Sequence, residues 1–157
     1  MTARTTLFLF SSLFALLVVA FSPVSARAES ATSYRPAMRA LVGTIDAWIV
    51  ELDVQLAAVN TKPEAACSEE YAVLVSRGAT MVDDLRGTAL NAPAALVGAN
   101  VLAADGLGAI VTGAAEMSAG CNGGSVANSL SRVEDGRADY AQGMMKIRNF
   151  LTGLRLR

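Results

Sequence analysis

The sequence predicts an all-α protein, an up-down-up-down four-helix bundle with one disulfide joining helices 2 and 3. Three observations carry that expectation. Apolar residues recur at spacings of three and four in four separate stretches, the pattern of a helix with one buried face, and no stretch alternates as a strand would. The connections between the stretches are short, which makes consecutive helices antiparallel neighbours. The only two cysteines, Cys67 and Cys121, bracket the second and third stretches, so a turn near Asn91 returns both to one end of a hairpin. In the chain-entropy description, closing a loop of that size is worth about 4 kcal/mol.

Residues 1–28 read as a cleaved signal peptide. Arg4 supplies the positive charge, residues 7–21 are apolar except for Ser11 and Ser12, and small side chains occupy Val24-Ser25-Ala26 and Ala26-Arg27-Ala28. Removal leaves residues 29–157, enough for one domain with one core. The expected location is secreted, or periplasmic and cell-envelope, where an oxidising environment suits a disulfide. The 13 basic residues less Arg4 and Arg27 leave 11 against 14 acidic ones, a net charge of −3. Such a balance, without a clustered basic surface, excludes nucleic acid as a partner.

Helix 1 is expected from Pro36, tolerated in a first turn, to Asn60, with Met38, Leu41, Ile45, Trp48, Leu52, Leu56 and Val59 on one face. Thr61-Lys62-Pro63-Glu64 then reads as a capping box that opens helix 2. The helix 2 seam is Cys67, Tyr71, Leu74, Gly78, Met81, Leu85 and Thr88, which turns the cysteine inward. Helix 3 starts with Pro93 in its first turn and runs to about Ala119. Between Pro93 and Ala115 only Asn100, Asp105 and Thr112 resist burial, so it is either the central bundle member or a membrane span. Its many Ala and Gly residues permit close approach to neighbours. After Gly123-Gly124, helix 4 carries Val126, Leu130, Val133, Tyr140, Met144, Ile147 and Leu151 on one face, with Arg137 among them.

The chain holds no histidine, which removes the usual general bases, haem ligands and the Glu-x-x-His sites of di-iron bundles. No nucleophile elbow or phosphate loop is present, and Gly106-Leu107-Gly108 lacks the third glycine of a nucleotide fingerprint. No cofactor and no catalytic residue is therefore expected. The residues to suspect are Asp105, Arg137 and Tyr140, a buried polar site in which Asp105 pairs with Arg137 or Tyr140 across helices 3 and 4. Asp83 and Asp84 lie near the same level, which allows a carboxylate cluster, although hard cations take six or more oxygens. The methionines and Trp48 fit core positions better than metal ligation or a ligand platform.

Cys67-Ser68-Glu69-Glu70-Tyr71, Val82-Asp83-Asp84-Leu85 and Cys121-Asn122-Gly123-Gly124 resemble the plant invertase and pectin methylesterase inhibitor domain over about a third of the chain. That resemblance implies a secreted four-helix bundle with a disulfide between its second and third helices, and an inhibitor-like role. No functional residue is carried over.

The functional expectation is an exported, non-catalytic bundle that binds a partner protein or a small apolar ligand between helices. The alternative is an envelope membrane-associated protein that inserts helix 3 over residues 93–115. The basic C-terminus, Lys146, Arg148, Arg155 and Arg157, adds a weak attraction to membrane surfaces.

Overall fold

Helix formation begins earlier than the apolar pattern suggests. In the computed structural model, which describes residues 23–120 and 126–153, helix α1 spans Pro23–Thr61 with Pro36 inside it. Its lead-in is rich in alanine, and an interior proline removes one ladder hydrogen bond from a long helix. The backbone is thus helical through both expected cleavage junctions, at Ala26 and Ala28, and shows no boundary at residue 29. The secretion features read from the sequence are corrected accordingly: nothing in the described structure supports them, and the apolar residues 7–21 lie outside the described residues.

The expected capping box is replaced by two local devices. Thr61 ends α1 and its Oγ1 donates to the Ala57 carbonyl at 3.1 Å, the back-bonding habit of an in-helix threonine. Pro63 then opens a 3-10 turn, Pro63–Cys67. Helix α2 (Glu69–Ala89) is capped by Ser68, whose Oγ accepts from the Tyr71 N–H at 3.1 Å, with Glu69 and Glu70 in the first turn against the positive end of the dipole.

This geometry also corrects the disulfide joining helices 2 and 3. Cys67 is the last residue of the 3-10 turn, outside α2 and exposed, and its inward place is taken by buried Ala66. Cys67 is itself disulfide-bonded, but Cys121 lies outside the described residues, past the end of α3. Among the described residues no disulfide runs between two helices. The physical reason is the proline: it tightens the turn before α2, so the cysteine never enters the helix whose seam it was expected to extend.

A second 3-10 turn, Ala94–Leu96, leads into α3 (Val97–Ala119), and α4 spans Val126–Leu151. The expected glycine turn at residues 123–124 lies outside the described residues. Together the four helices form an all-α bundle with antiparallel neighbours. Buried Met38, Ile45, Trp48 and Leu52 of α1 meet Tyr71, Leu74 and Leu85 of α2, Leu107 and Ile110 of α3, and Met144 and Ile147 of α4 in one core. The Trp48 indole N–H donates to the Leu74 carbonyl at 2.8 Å, so this fully buried ring satisfies its one donor.

The closest approach is between α3 and α4, and it is made by small residues seven apart. Ala99, Gly106 and Gly113 on α3 face Ser129, Gly136 and Gly143 on α4, and each of these four glycines lies against the backbone of the other helix. A side chain at Gly136 would stand 2.7 Å from the Gly106 carbonyl and 2.8 Å from the Ile110 nitrogen; one at Gly143 would stand 2.6 Å from the Ala99 carbonyl. A seven-residue repeat keeps one face of a helix turned to its partner, and glycine there lets the two backbones touch.

Candidate functional site

Helices α1 and α4 approach each other differently. Their backbones stay apart, and charged side chains bridge the space. Arg39 donates to the Leu151 carbonyl at 3.0 Å, Arg148 to Asp46 at 2.5 Å, and Arg137 to Asp53. Arg39, Asp46 and Asp53 are seven apart on α1, which stacks these contacts on one edge. Each exposed ion pair contributes about 0–1 kcal/mol, so the row orients the helices more than it stabilises them.

Where the row ends, the edge opens into a groove of about 410 Å³. Leu56, Leu130 and Val133 floor it; Asn60, Glu134 and Arg137 line its rim. It offers an apolar floor with one carboxylate, one amide and one guanidinium already paired to Asp53. Such a surface suits a small amphipathic group and holds no nucleophile and no imidazole. A second hollow, of about 270 Å³, lies beside Tyr34, Gly87 and Asn91 at the other end of the bundle.

The three suspected polar residues are not brought together. Asp105 is exposed, because the glycine seam places its neighbour Gly106 on the inward face. Arg137 is half-buried and faces α1, where Asp53 takes its charge. Tyr140 is buried on the seam, and its hydroxyl has no hydrogen-bond partner among the described residues. The Asp46–Arg148 pair stands near enough to act on it electrostatically, without meeting hydrogen-bond geometry. Asp83 and Asp84 are also exposed, and among the described residues no three His, Cys, Asp or Glu side chains are grouped as metal ligands. The weighed carboxylate cluster does not form.

The buried polar contact that does form went unread in the sequence. The Tyr34 hydroxyl donates to Asn100 Oδ1 at 3.0 Å, and Asn100 Nδ2 donates to the Leu96 carbonyl at 2.8 Å. Both side chains are buried, with Tyr34 also packed on Phe150 at a centroid distance of 6.0 Å. Tyr34 was hidden because it precedes Pro36, which marks a helix start by pattern alone.

Burial pushes all three tyrosines above their ordinary value of 10.0, Tyr71 to about 12, with Asp46 adding to the effect at Tyr140 and Asn100 opposing it at Tyr34. Each folded-state value lies above the unfolded one, so this stability is fully present below about pH 10 and declines as the pH rises towards 12. Helical circular dichroism with urea titrations across that window is expected to show a falling midpoint. A midpoint constant to pH 12 would contradict it.

No protein-family model matches the chain, and no curated protein or solved structure matches it either. The likeness of the Cys67 and Cys121 segments to the plant inhibitor domain therefore assigns no family.

Proposed function

We propose that this protein is a non-catalytic helical bundle that works at a membrane of the cell envelope, with α3 as the helix that enters the bilayer. One observation carries the reading: among the described residues, Ala94–Ala119, the second 3-10 turn with α3, is the one helical stretch long and apolar enough to cross a membrane, with hydropathy 1.7 and half of its apolar 18-residue window buried. The 23 residues of α3 extend about 35 Å at 1.5 Å per residue, against a hydrocarbon core of about 30 Å. Val97, Gly98, Val101 and Ala115 are exposed on it, and Asp105 is its one charged residue before Glu116. Entry exchanges bundle packing for lipid, and Asp105 opposes it.

Fractionation tests the proposal. The chain is expected in the membrane pellet, released by detergent and not by salt, whereas recovery wholly without detergent would remove the reading. Asp105→Leu should favour insertion by about 3 kcal/mol, since an acid at mid-bilayer costs about that much and an exposed position leaves the bundle intact. An unchanged membrane fraction for this variant would exclude α3 as the inserting helix.

A second reading rests on the groove between α1 and α4. Its 410 Å³ and its apolar floor suit a small apolar ligand or a partner's side chain.

A further inference from the structure

We infer that the outward face of α1 is a seam at which two copies of this chain pair antiparallel, with Val50 of one beside Val54 of the other. Helix α3 takes no part in this face, so the pairing stands independently of the membrane reading above.

Helix α1 carries apolar side chains on two opposite sides. Ile45, Trp48 and Leu52 face the core, and the residues two places on, Ala47, Val50 and Val54, point about 160° away from them, since successive residues turn by about 100°. The outward set continues at spacings of three and four as Ala40, Gly43, Ala47, Val50, Val54, Ala57 and Thr61, all exposed. That is the spacing of a coiled-coil seam. Val50 is 64% exposed and Val54 66%, on the side of the helix that a bundle usually turns to water with polar residues. No charged residue falls on the strip. Its one hydroxyl, on Thr61, is taken up by the Ala57 carbonyl, and that of Thr44 beside it donates to the Ala40 carbonyl at 3.2 Å.

The edges of the strip are neutralised from within the same copy. Asp46, Glu51 and Asp53 border it, and an arginine reaches each from a neighbouring helix: Arg148 and Arg137 from α4, and Arg77 from α2 at 2.6 Å. A second helix laid on the strip meets apolar groups along the middle and paired charges along both sides, the layout of an interface with an apolar centre and a polar rim.

The strip is also complementary to itself. Under a two-fold axis across α1 at the level of Leu52, Val50 and Val54 meet reciprocally at the centre, with Ala47 beside Ala57 and Gly43 beside Thr61 further out. Large residues meet large ones and small residues meet small. An unlike partner would require no such reciprocity within one strip. Charge selects the antiparallel sense. Arg35 and Arg39 lie at one end of the strip and are exposed, while Glu64, Glu69 and Glu70 lie past the other end and are exposed, with Lys62. Arg39 is held by the Leu151 carbonyl and Arg35 stands 4.4 Å over the Phe150 ring, contacts that fix both side chains without removing their charge. Antiparallel pairing sets the basic end of each copy against the acidic end of the other, whereas parallel pairing sets like charges together.

The test is sedimentation equilibrium of the full chain in a density-matched mild detergent, which serves whether or not α3 inserts. The parent is expected to be a dimer. Each buried valine is worth about tenfold or more in association, and the two-fold axis counts every substitution twice, so Val54→Glu should weaken the dimer at least about 100-fold. Its helical circular dichroism should persist, because Val54 is exposed within its own copy. Val101→Glu, on the exposed side of α3, should dimerise as the parent does. Direction is read with a spin label on Gly43→Cys, where nothing lies within 4 Å of an added Cβ; Cys67 is disulfide-bonded and takes no label. The two labels should stand about 27 Å apart along the pair, against about 10 Å for parallel helices. A monomeric parent overturns the inference, as does a dimer indifferent to Val54→Glu. An equal loss with Val101→Glu, or the short label distance, overturns it too.

Discussion

Gly106→Ala is expected to destabilise the bundle by at least about 2 kcal/mol, although alanine is the better helix former by about 1 kcal/mol. The added methyl would lie 2.6 Å from the Gly136 carbonyl, 2.9 Å from the Tyr140 Cα, and closer still to the Tyr140 nitrogen. These are backbone atoms, so no rotamer change relieves the clash and α3 must move away from α4. Gly98→Ala is the matching control: nothing lies within 4 Å of its new methyl, and the same substitution should stabilise by up to about 1 kcal/mol. Urea titrations of the two variants should therefore shift in opposite directions. Two shifts of the same sign would mean that helix propensity, and not the seam, decides the outcome.

Trp48→Ala is expected to cost about 3–5 kcal/mol, the range for emptying a large buried ring position. What makes it informative is Gly78. The indole lies over that glycine so closely that a methyl on Gly78 would overlap Trp48 Cζ2 and stand 2.9 Å from Trp48 Cε2. Gly78→Ala should thus destabilise the parent, yet be neutral or favourable once Trp48 is alanine, where the methyl fills part of the cavity and only Val111 Cγ2, at 2.9 Å, crowds it. The double-mutant cycle should return a coupling of about 1–3 kcal/mol. Additive effects would show that the ring does not depend on the glycine beneath it.

The helices could be read from the sequence because three of them are two-sided. Ile45, Trp48 and Leu52 on α1, Tyr71, Leu74 and Leu85 on α2, and Val133, Met144 and Ile147 on α4 lie where their spacing places them. Helix α3 is apolar nearly all round, so no pattern of side-chain polarity selects its inward face. The selection is made by the absence of side chains at Gly106 and Gly113, and it carries Asp105 outward, about 100° round the helix from where a buried pair needs it. The seven-residue spacing of Ala99, Gly106 and Gly113, matched by Ser129, Gly136 and Gly143, was the available signal. Arg137 was misassigned for another reason: a charge between two neighbouring helices pairs with whichever acid is at its level, and Asp53 on α1 meets it where Asp105 cannot. The start of α2 was misplaced because Thr61 and Ser68 both suit a cap, and the choice between them depends on the turn that Pro63 imposes.

The repeat that lets α3 and α4 touch also carries an ambiguity. A seam of equivalent small residues every seven positions is translationally degenerate: sliding one helix by two turns again sets small residues against small residues at much of the contact, with little loss of packing energy. An energy gap between the native pairing and these slipped states has to come from something that does not repeat. Asn100 does not. It occurs once on α3, is fully buried, and is bonded to the Tyr34 hydroxyl on α1, a third helix with no part in the seam. A shift of α3 separates the Tyr34 hydroxyl from Asn100 Oδ1 and leaves these two atoms unpaired in the core, at a cost of about 1–3 kcal/mol each, while the bond from Asn100 Nδ2 to the Leu96 carbonyl travels with the helix. Asn100, the one buried side-chain amide among the described residues, thus acts as a vernier mark, selecting one of several alignments that the glycines alone would leave nearly equal.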